Sequence, residues 1–187
     1  MNILLAGVGG QGTVLASKIL AQCAIDRGLP VHTAETIGMA QRGGSVVSHV
    51  RIGDNAYSPL IPKGAADVLI GFEPAEAVRN IDFLKDGGTV VVSDRAVVPA
   101  SSSLSNAVYD AKEMIAFVQK SAKKVILVRA FEVEKAASLR ALNVALLGAA
   151  AAAGALGFTK DELAAAMPKL IAAKHMELNL KALNITK

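Results

Sequence analysis

Cysteine is nearly absent from this chain: Cys23 stands alone among 187 residues. One thiol excludes an intrachain disulfide, which suits a reducing compartment and a cytoplasmic location. It also excludes an ordinary iron–sulfur cluster held by this chain alone, because such a cluster takes four thiolates. Cys23 itself falls in a helix-like run and reads as a small core residue. Histidine is scarce as well, and His32, His49 and His175 show no metal-ligand spacing. With no tryptophan, two tyrosines and dispersed lysines and arginines, the chain lacks the stacking platform and basic stripe of a nucleic-acid binder. No basic region precedes the first apolar stretch, so no secretory signal is expected. The nearest approach to a membrane span is "ALNVALLGAAAAAGALGF", residues 141–158. Alanine and glycine contribute little to insertion and Asn143 interrupts the run, so a helix buried against a sheet or a partner is expected instead.

What is present is apolar bulk. Hydrophobic residues make up 52% and charged residues 19%, against about 45–50% and about 25% in an ordinary soluble chain. Alanine supplies much of the excess, and a protein partner covering part of the surface explains it better than a membrane. A net charge of +4 and a pI near 9.3 suit an acidic ligand or partner. The length fits a single domain over residues 1–187.

Strand-like and helix-like runs alternate. "NILLA" reads as a strand, and residues 13–27 as a helix with Leu15, Ala16, Ile19, Leu20 and Cys23 on one side and Gly28 at its end. "PVHTAE", "SVVSHVRI", "ADVLIGF", "TVVVSD" and "KVILVRA" are further strands. Helices are expected over 75–84, ending at Gly87-Gly88, and over 111–122; "RAVVPASSSLSNA" reads as a loop or edge. Beyond about residue 132 the pattern is helical: a long alanine-rich helix, then Thr159 and Glu162 as a T-x-x-E capping box, then a last helix with Leu178, Leu180 and Leu183. This order predicts an α/β, Rossmann-like three-layer sandwich. Its sheet is mostly parallel with helices on both faces, and its C-terminal segment is helical. The third strand follows the second without a crossover helix, so one antiparallel or irregular edge is expected.

The loop "GVGGQG" after the first strand places Gly7, Gly9 and Gly12 at G-x-G-x-x-G spacing, with Gly10 and Gln11 between. Glycine lets a ligand approach the backbone, and first-turn amides that lack intrahelical acceptors point at an anion. The same glycines also serve a tight turn and close helix–sheet packing. A dinucleotide site wants an acid about 20 residues further on, and Glu35 lies near that distance past Gly12.

A second loop belongs to no dinucleotide fingerprint. "GMAQRGGSVVSHVR" sets Gln41, Arg42, Gly43, Gly44 and Ser45 before a strand. Arg42 offers a forked donor and the glycine pair a nest of amides, a combination able to wrap a phosphate. Together, "LLAGVGGQGTVLASKIL" and "ETIGMAQRGGSVVSHVRIG" resemble the gamma-type domain of the 2-oxoacid:ferredoxin oxidoreductases. Within that family the wording "GMAQRGGSV" is similar to the small (beta) subunits of the indolepyruvate type. The resemblance spans the chain and is most specific over residues 2–53. It implies a subunit of an enzyme that oxidatively decarboxylates an aryl 2-oxoacid, transfers the acyl group to coenzyme A and passes electrons to ferredoxin. Thiamine diphosphate, Mg²⁺ and 4Fe-4S clusters then belong to a larger partner subunit in a hetero-oligomer. The residues onto which binding carries over are Gly7, Gly9, Gly10, Gln11, Gly12, Met39, Gln41, Arg42, Gly43, Gly44 and Ser45. No catalytic or metal-ligating residue is assigned to this chain.

Other candidates carry less. Glu35 serves a ligand or anchors a loop; His49 reads as a structural histidine; Asn143 as an interface or network residue; Asp94 sits at the carboxyl edge of its strand, where ligands of open α/β sheets bind. Lys169, Lys174, His175 and Lys181 read as a solvated face. The alternatives are a stand-alone NAD(P)- or flavin-dependent oxidoreductase and a nucleotide-sensing module without a reaction.

Overall fold

The structure, a computed structural model, describes residues 1–37, 43–54, 57–98 and 109–186. Its centre is a six-stranded sheet in the order β2-β3-β1-β4-β5-β6. Strands β1 (Asn2–Val8), β4 (Ala66–Gly71), β5 (Leu84–Ser93) and β6 (Lys124–Val128) run parallel. Strand β3 (Ser45–Ile52) is antiparallel both to β1 and to β2 (Val31–Ile37). The missing crossover helix therefore has a topological result: the β2–β3 hairpin folds back so that β3, not β2, lies against β1.

Strand β1 is buried on both faces, as a central parallel strand must be. Ile3 and Leu5 join the larger core, with Ala16, Ile19, Leu20 and Cys23 of α1 (Thr13–Asp26). Leu4 and Ala6 join a smaller core under α2 (Pro74–Arg79) and α3 (Ala111–Ser121), represented by Ala77 and Val118. The larger face is closed by α1, α4 (Ala130–Ala136), α5 (Leu142–Ala152), α6 (Lys160–Ala166) and α7 (Met176–Leu183). Helices thus cover both faces of a mostly parallel open sheet, as expected.

The apolar run at 141–158 is short where it is helical: α5 has 11 residues and is buried from Leu142 to Ala150. No helix among the described residues is long and apolar enough to cross a membrane. Glycine lets α5 and α7 touch at backbone distance, since a Cβ on Gly148 would lie 2.1 Å from the Leu183 carbonyl oxygen. The capping box forms as the spacing predicts: Thr159 Oγ1 accepts the Glu162 amide and Glu162 accepts the Thr159 amide. Arg27 also grips Glu162, Nη2 to Oε2 at 2.6 Å, and its guanidinium lies 4.6 Å from the Phe158 ring centroid. That arginine, with the cap amide and hydroxyl, holds the Glu162 carboxyl down to about 2.

Two expectations are corrected. The helix expected over 75–84 ends at Arg79, followed by a 3-10 turn at Ile81–Phe83. Leu84 pairs with Ala66 and already belongs to β5, whose ladder shifts register before Val68 meets Thr89. Gly87, at φ +75°, is therefore an irregularity inside a strand and not a helix stop. The alanine-rich helix expected beyond residue 132 is also divided, into α4, a 3-10 turn at Leu139–Ala141, and α5. Ser138 makes the break, its side chain accepting the Arg140 amide.

Candidate functional site

The strand order reverses at β1: β3 lies on one side and β4 on the other. Chain segments leaving the carboxyl ends of β1 and β4 diverge there, and such a crevice is where open α/β sheets bind ligands. The first glycine loop leaves β1 at this point. Because β3 runs antiparallel to β1, its beginning meets the end of β1, with Ser45 opposite Val8 and Val46 opposite Gly7. The two glycine loops are thereby joined, and the Gly9 amide donates to the Gly44 carbonyl at 2.9 Å. Of the residues expected to bind a ligand, Gly7, Gly9, Gly10, Gln11, Gly12, Gly43, Gly44 and Ser45 converge here; Met39, Gln41 and Arg42 lie outside the described residues.

The first loop is tightly specified. Gly12 starts α1 at φ +80°, and a Cβ there would lie 2.6 Å from Asn143 Nδ2, which donates to the Gly12 carbonyl. Asn143, buried in the first turn of α5, is thus the network member that locks this loop. Gln11 differs from expectation. Its Oε1 accepts the Val8 amide at 2.7 Å and its Nε2 donates to the Phe72 carbonyl at 3.2 Å. The side chain staples the end of β1 to the end of β4, so its amide is occupied within the protein. Backbone donors remain: among the described residues no acceptor takes the amides of Gly10, Gly12, Thr13 or Val14. Helix α1 has neither a side-chain cap nor an acidic residue in its first turn. These donors and the helix dipole favour an anion.

The second loop borders a different environment. A cavity of about 240 Å³ lies between Gly43, Gly44, Ser45, α2 and Val97. Its wall holds two carboxylates, Glu73 and Glu76, only 1% and 3% exposed. Glu76 accepts from Ser45 Oγ at 2.5 Å and from Arg79 at 2.6 Å. Glu73 caps α2 by accepting the Glu76 amide and also accepts from the Val97 amide and the Tyr109 hydroxyl. Burial, and then that bond to Glu73, push the Tyr109 phenol well above its ordinary value. Ser45 is therefore an anchor for the loop rather than a free donor. Buried carboxylates need such partners, and here they bind Ser45, Val97 and Tyr109 to α2.

The remaining candidates are structural. Glu35 sits on the edge strand, two strands from β1, and accepts from Ser17 of α1 at 3.2 Å. The inserted β3 separates its strand from β1, whereas a dinucleotide fingerprint sets its acid on the strand beside the first. His49 is buried, accepts the Ile61 amide at Nδ1 and meets the Phe83 ring edge-on; burial pushes its imidazole below the ordinary value. Asp94 accepts the Ala130 amide at the start of α4. Cys23 is a core thiol that burial raises to about 11. Lys169 and Lys181 pair with Asp26 and Glu177 on the surface, whereas Lys174 and His175 line a cavity.

Residues 2–186 match the pyruvate ferredoxin/flavodoxin oxidoreductase family. The chain belongs to this family. Indolepyruvate oxidoreductase subunit IorB from Archaeoglobus fulgidus is 44% identical over 99% of this chain and 92% of its own length. Pyruvate oxidoreductase subunit PORC from Thermotoga maritima has the same fold, with a TM-score of 0.68 at 21% identity over 98% of this chain and 93% of that one. A 2-oxoglutarate:ferredoxin oxidoreductase from Magnetococcus marinus, solved with coenzyme A and succinyl-CoA, contains the fold within a longer chain. There the TM-score is 0.64 at 21% identity, over 98% of this chain and 30% of that chain. Among the described residues, the loop junction offers few groups suited to bond-making: backbone amides, an anchored serine and a buried acid pair. Sequence reading missed that pair. Its signal was the "EPAE" stretch, in which Glu73 before Pro74 is an N-cap followed by proline at the first helical position.

Proposed function

We propose that this chain is the small subunit of an indolepyruvate-type, aryl 2-oxoacid:ferredoxin oxidoreductase of the cytoplasm. The observation that carries the reading is the near full-length similarity to an indolepyruvate oxidoreductase subunit, 44% identical over 99% of the chain. The complex would oxidatively decarboxylate its 2-oxoacid, form an acyl-CoA and pass electrons to ferredoxin. Thiamine diphosphate with Mg²⁺ and the 4Fe-4S clusters supply that chemistry from a larger partner subunit. This chain's single thiol cannot hold a cluster, and its sequence carries no G-D-G-type diphosphate motif for thiamine.

The role of this chain is to bind and position. Amides of Gly10, Gly12 and the first turn of α1 meet a phosphate of coenzyme A, and Gly7 and Gly9 keep the backbone close to it. Gln11 fixes the loop to β1 and β4. Met39, Gln41 and Arg42, with Gly43 and Gly44, contribute further contacts to the coenzyme, and Ser45 ties the start of β3 to Glu76. The presence of coenzyme A in a protein of the same fold supports this assignment. In this reading none of these residues makes or breaks a bond in the 2-oxoacid.

Co-expression with the larger subunit tests the proposal. Reduction of a low-potential dye that depends on indolepyruvate and coenzyme A is expected from the pair and from neither chain alone. Arg42→Ala should raise the KM for coenzyme A several-fold and leave co-purification intact. Substrate reduction by the isolated chain with a nicotinamide or flavin, unaided, overturns the reading.

A further inference from the structure

The first loop has two flanks, and they differ in charge. On the α2 side lie Glu73 and Glu76. On the other side, beyond Asn143, a cavity of about 460 Å³ opens between the beginnings of α1, α5 and α7. Its floor is Leu15, Ile171 and Leu178, and its rim carries Arg140, Lys174 and His175. All three rim residues are exposed, and no carboxylate lines this cavity among the described residues. None of the three is in an ion pair among those residues. Glu177, the nearest acid in sequence, bonds Lys181 instead at 2.8 Å.

The geometry points to this cavity as a binding site for a diphosphate-bearing ligand with an apolar or aromatic body. Arg140 supplies a fork that matches two phosphate oxygens, and Lys174 a mobile point charge. Of the helices at this cavity, α1 has 14 residues and no side-chain cap, whereas the first amides of α5 and α7 are taken by Leu139, Asn143 and Ala173. The dipole of α1 adds to the field of the cations. Volume decides against a bare anion: the space falls within the range of about 300–1,000 Å³ used for whole small molecules. An acidic peptide held at the rim alone would leave the apolar floor uncovered, so the argument favours a compact molecule with a charged end and a greasy end. The site stands on the cavity and its cations. Only the identification of coenzyme A as the natural ligand rests on the function proposed above, with a nucleoside diphosphate as the other source of the same chemistry.

Titration calorimetry of the full chain at low ionic strength, with ADP, pyrophosphate and coenzyme A as separate probes, tests this. ADP or coenzyme A is expected to bind saturably and more tightly than pyrophosphate. The Arg140→Ala/Lys174→Ala double variant should weaken that binding at least tenfold with an unchanged circular dichroism spectrum. Lys123→Ala, on a distant surface, should match the parent. In the NMR spectrum, the side-chain amides of Asn143 and Asn179, which line the cavity, should shift on addition of the tighter probe. Preference for coenzyme A over ADP assigns the former source, and the reverse assigns the latter. No saturation by any probe up to about 10 mM, tenfold beyond a Kd of about 1 mM, equal affinity in the double variant, or binding of a polyglutamate peptide in place of ADP overturns the inference. Because no turnover is measured, failure of the enzyme reading would not mimic failure of the site.

Discussion

On one face of the sheet, α1, α5, α6 and α7 bury alanines, leucines and isoleucines against Ile3, Leu5 and Val68, and the helices come close enough for backbone to meet backbone at Gly148. On the other face, α2 and α3 cover a smaller core, and the carboxyl edge is held by Glu73 and Glu76 with their hydroxyl, guanidinium and amide partners. The first face is closed chiefly by shape, with the Arg27–Glu162 pair at its rim, and the carboxyl edge of the second by charge-assisted hydrogen bonds. Shape tolerates no added atom and is indifferent to pH, whereas a polar cluster tolerates an isosteric change and fails when a partner is removed.

The largest effect should come from Gly148→Ala. A methyl group there meets a carbonyl oxygen at 2.1 Å and must drive α7 off α5, at the top of the range of about 1–3 kcal/mol for overpacking, or beyond. Urea denaturation reads it, and a parent-like midpoint would mean that this face is looser than its packing indicates. Next is Glu76→Ala, which leaves Ser45 and Arg79 without their acceptor and should cost about 1–3 kcal/mol. Glu76→Gln, which keeps an acceptor for Ser45, should cost less; equal losses would show that charge rather than hydrogen bonding closes this face. Thr159→Ala removes one half of the capping box and should cost about 1 kcal/mol by the same measurement.

The smallest effect is a slope. His49 has a folded-state affinity for protons lowered by burial from its ordinary value of 6.5. Below about that pH the unfolded chain takes the proton first, so stability is full above it and declines as pH falls toward the folded value. Replacing His49 by Gln should flatten that part of the stability–pH curve, and an unchanged slope would assign it to other groups.

These contrasts also separate what the sequence made legible from what it hid. Strand β3 was readable to its ends because "SVVSHVRI" is dense in β-branched residues between glycines, and the T-x-x-E box was readable because its partners are three residues apart. The end of α2 was not. Ile81, Phe83 and Leu84 continue a helical stripe, and only pairing of Leu84 with Ala66 across the sheet draws that stretch into β5. Nor could the chain order reveal that β3 rather than β2 lies beside β1, although this sets Glu35 two strands away from β1. At the site, the glycines announced themselves, but the buried acids did not. Glu73 beside a proline, with Glu76 three residues on, reads as a solvated helix start until Tyr109 bonds the first and Ser45 the second. Lys174 and His175 likewise read as a solvated face, and only the 3-10 turn at Leu139–Ala141 brings Arg140 to the same cavity.

The bond from the Gly9 amide to the Gly44 carbonyl makes one nitrogen a gauge for two segments at once. Deuterium uptake at Gly9 is governed by whether residue 44 stays within reach, a quantity no side chain of its own stretch controls. Any effector that parts the two segments would register there first, at a single resonance, before any change in catalysis is measured.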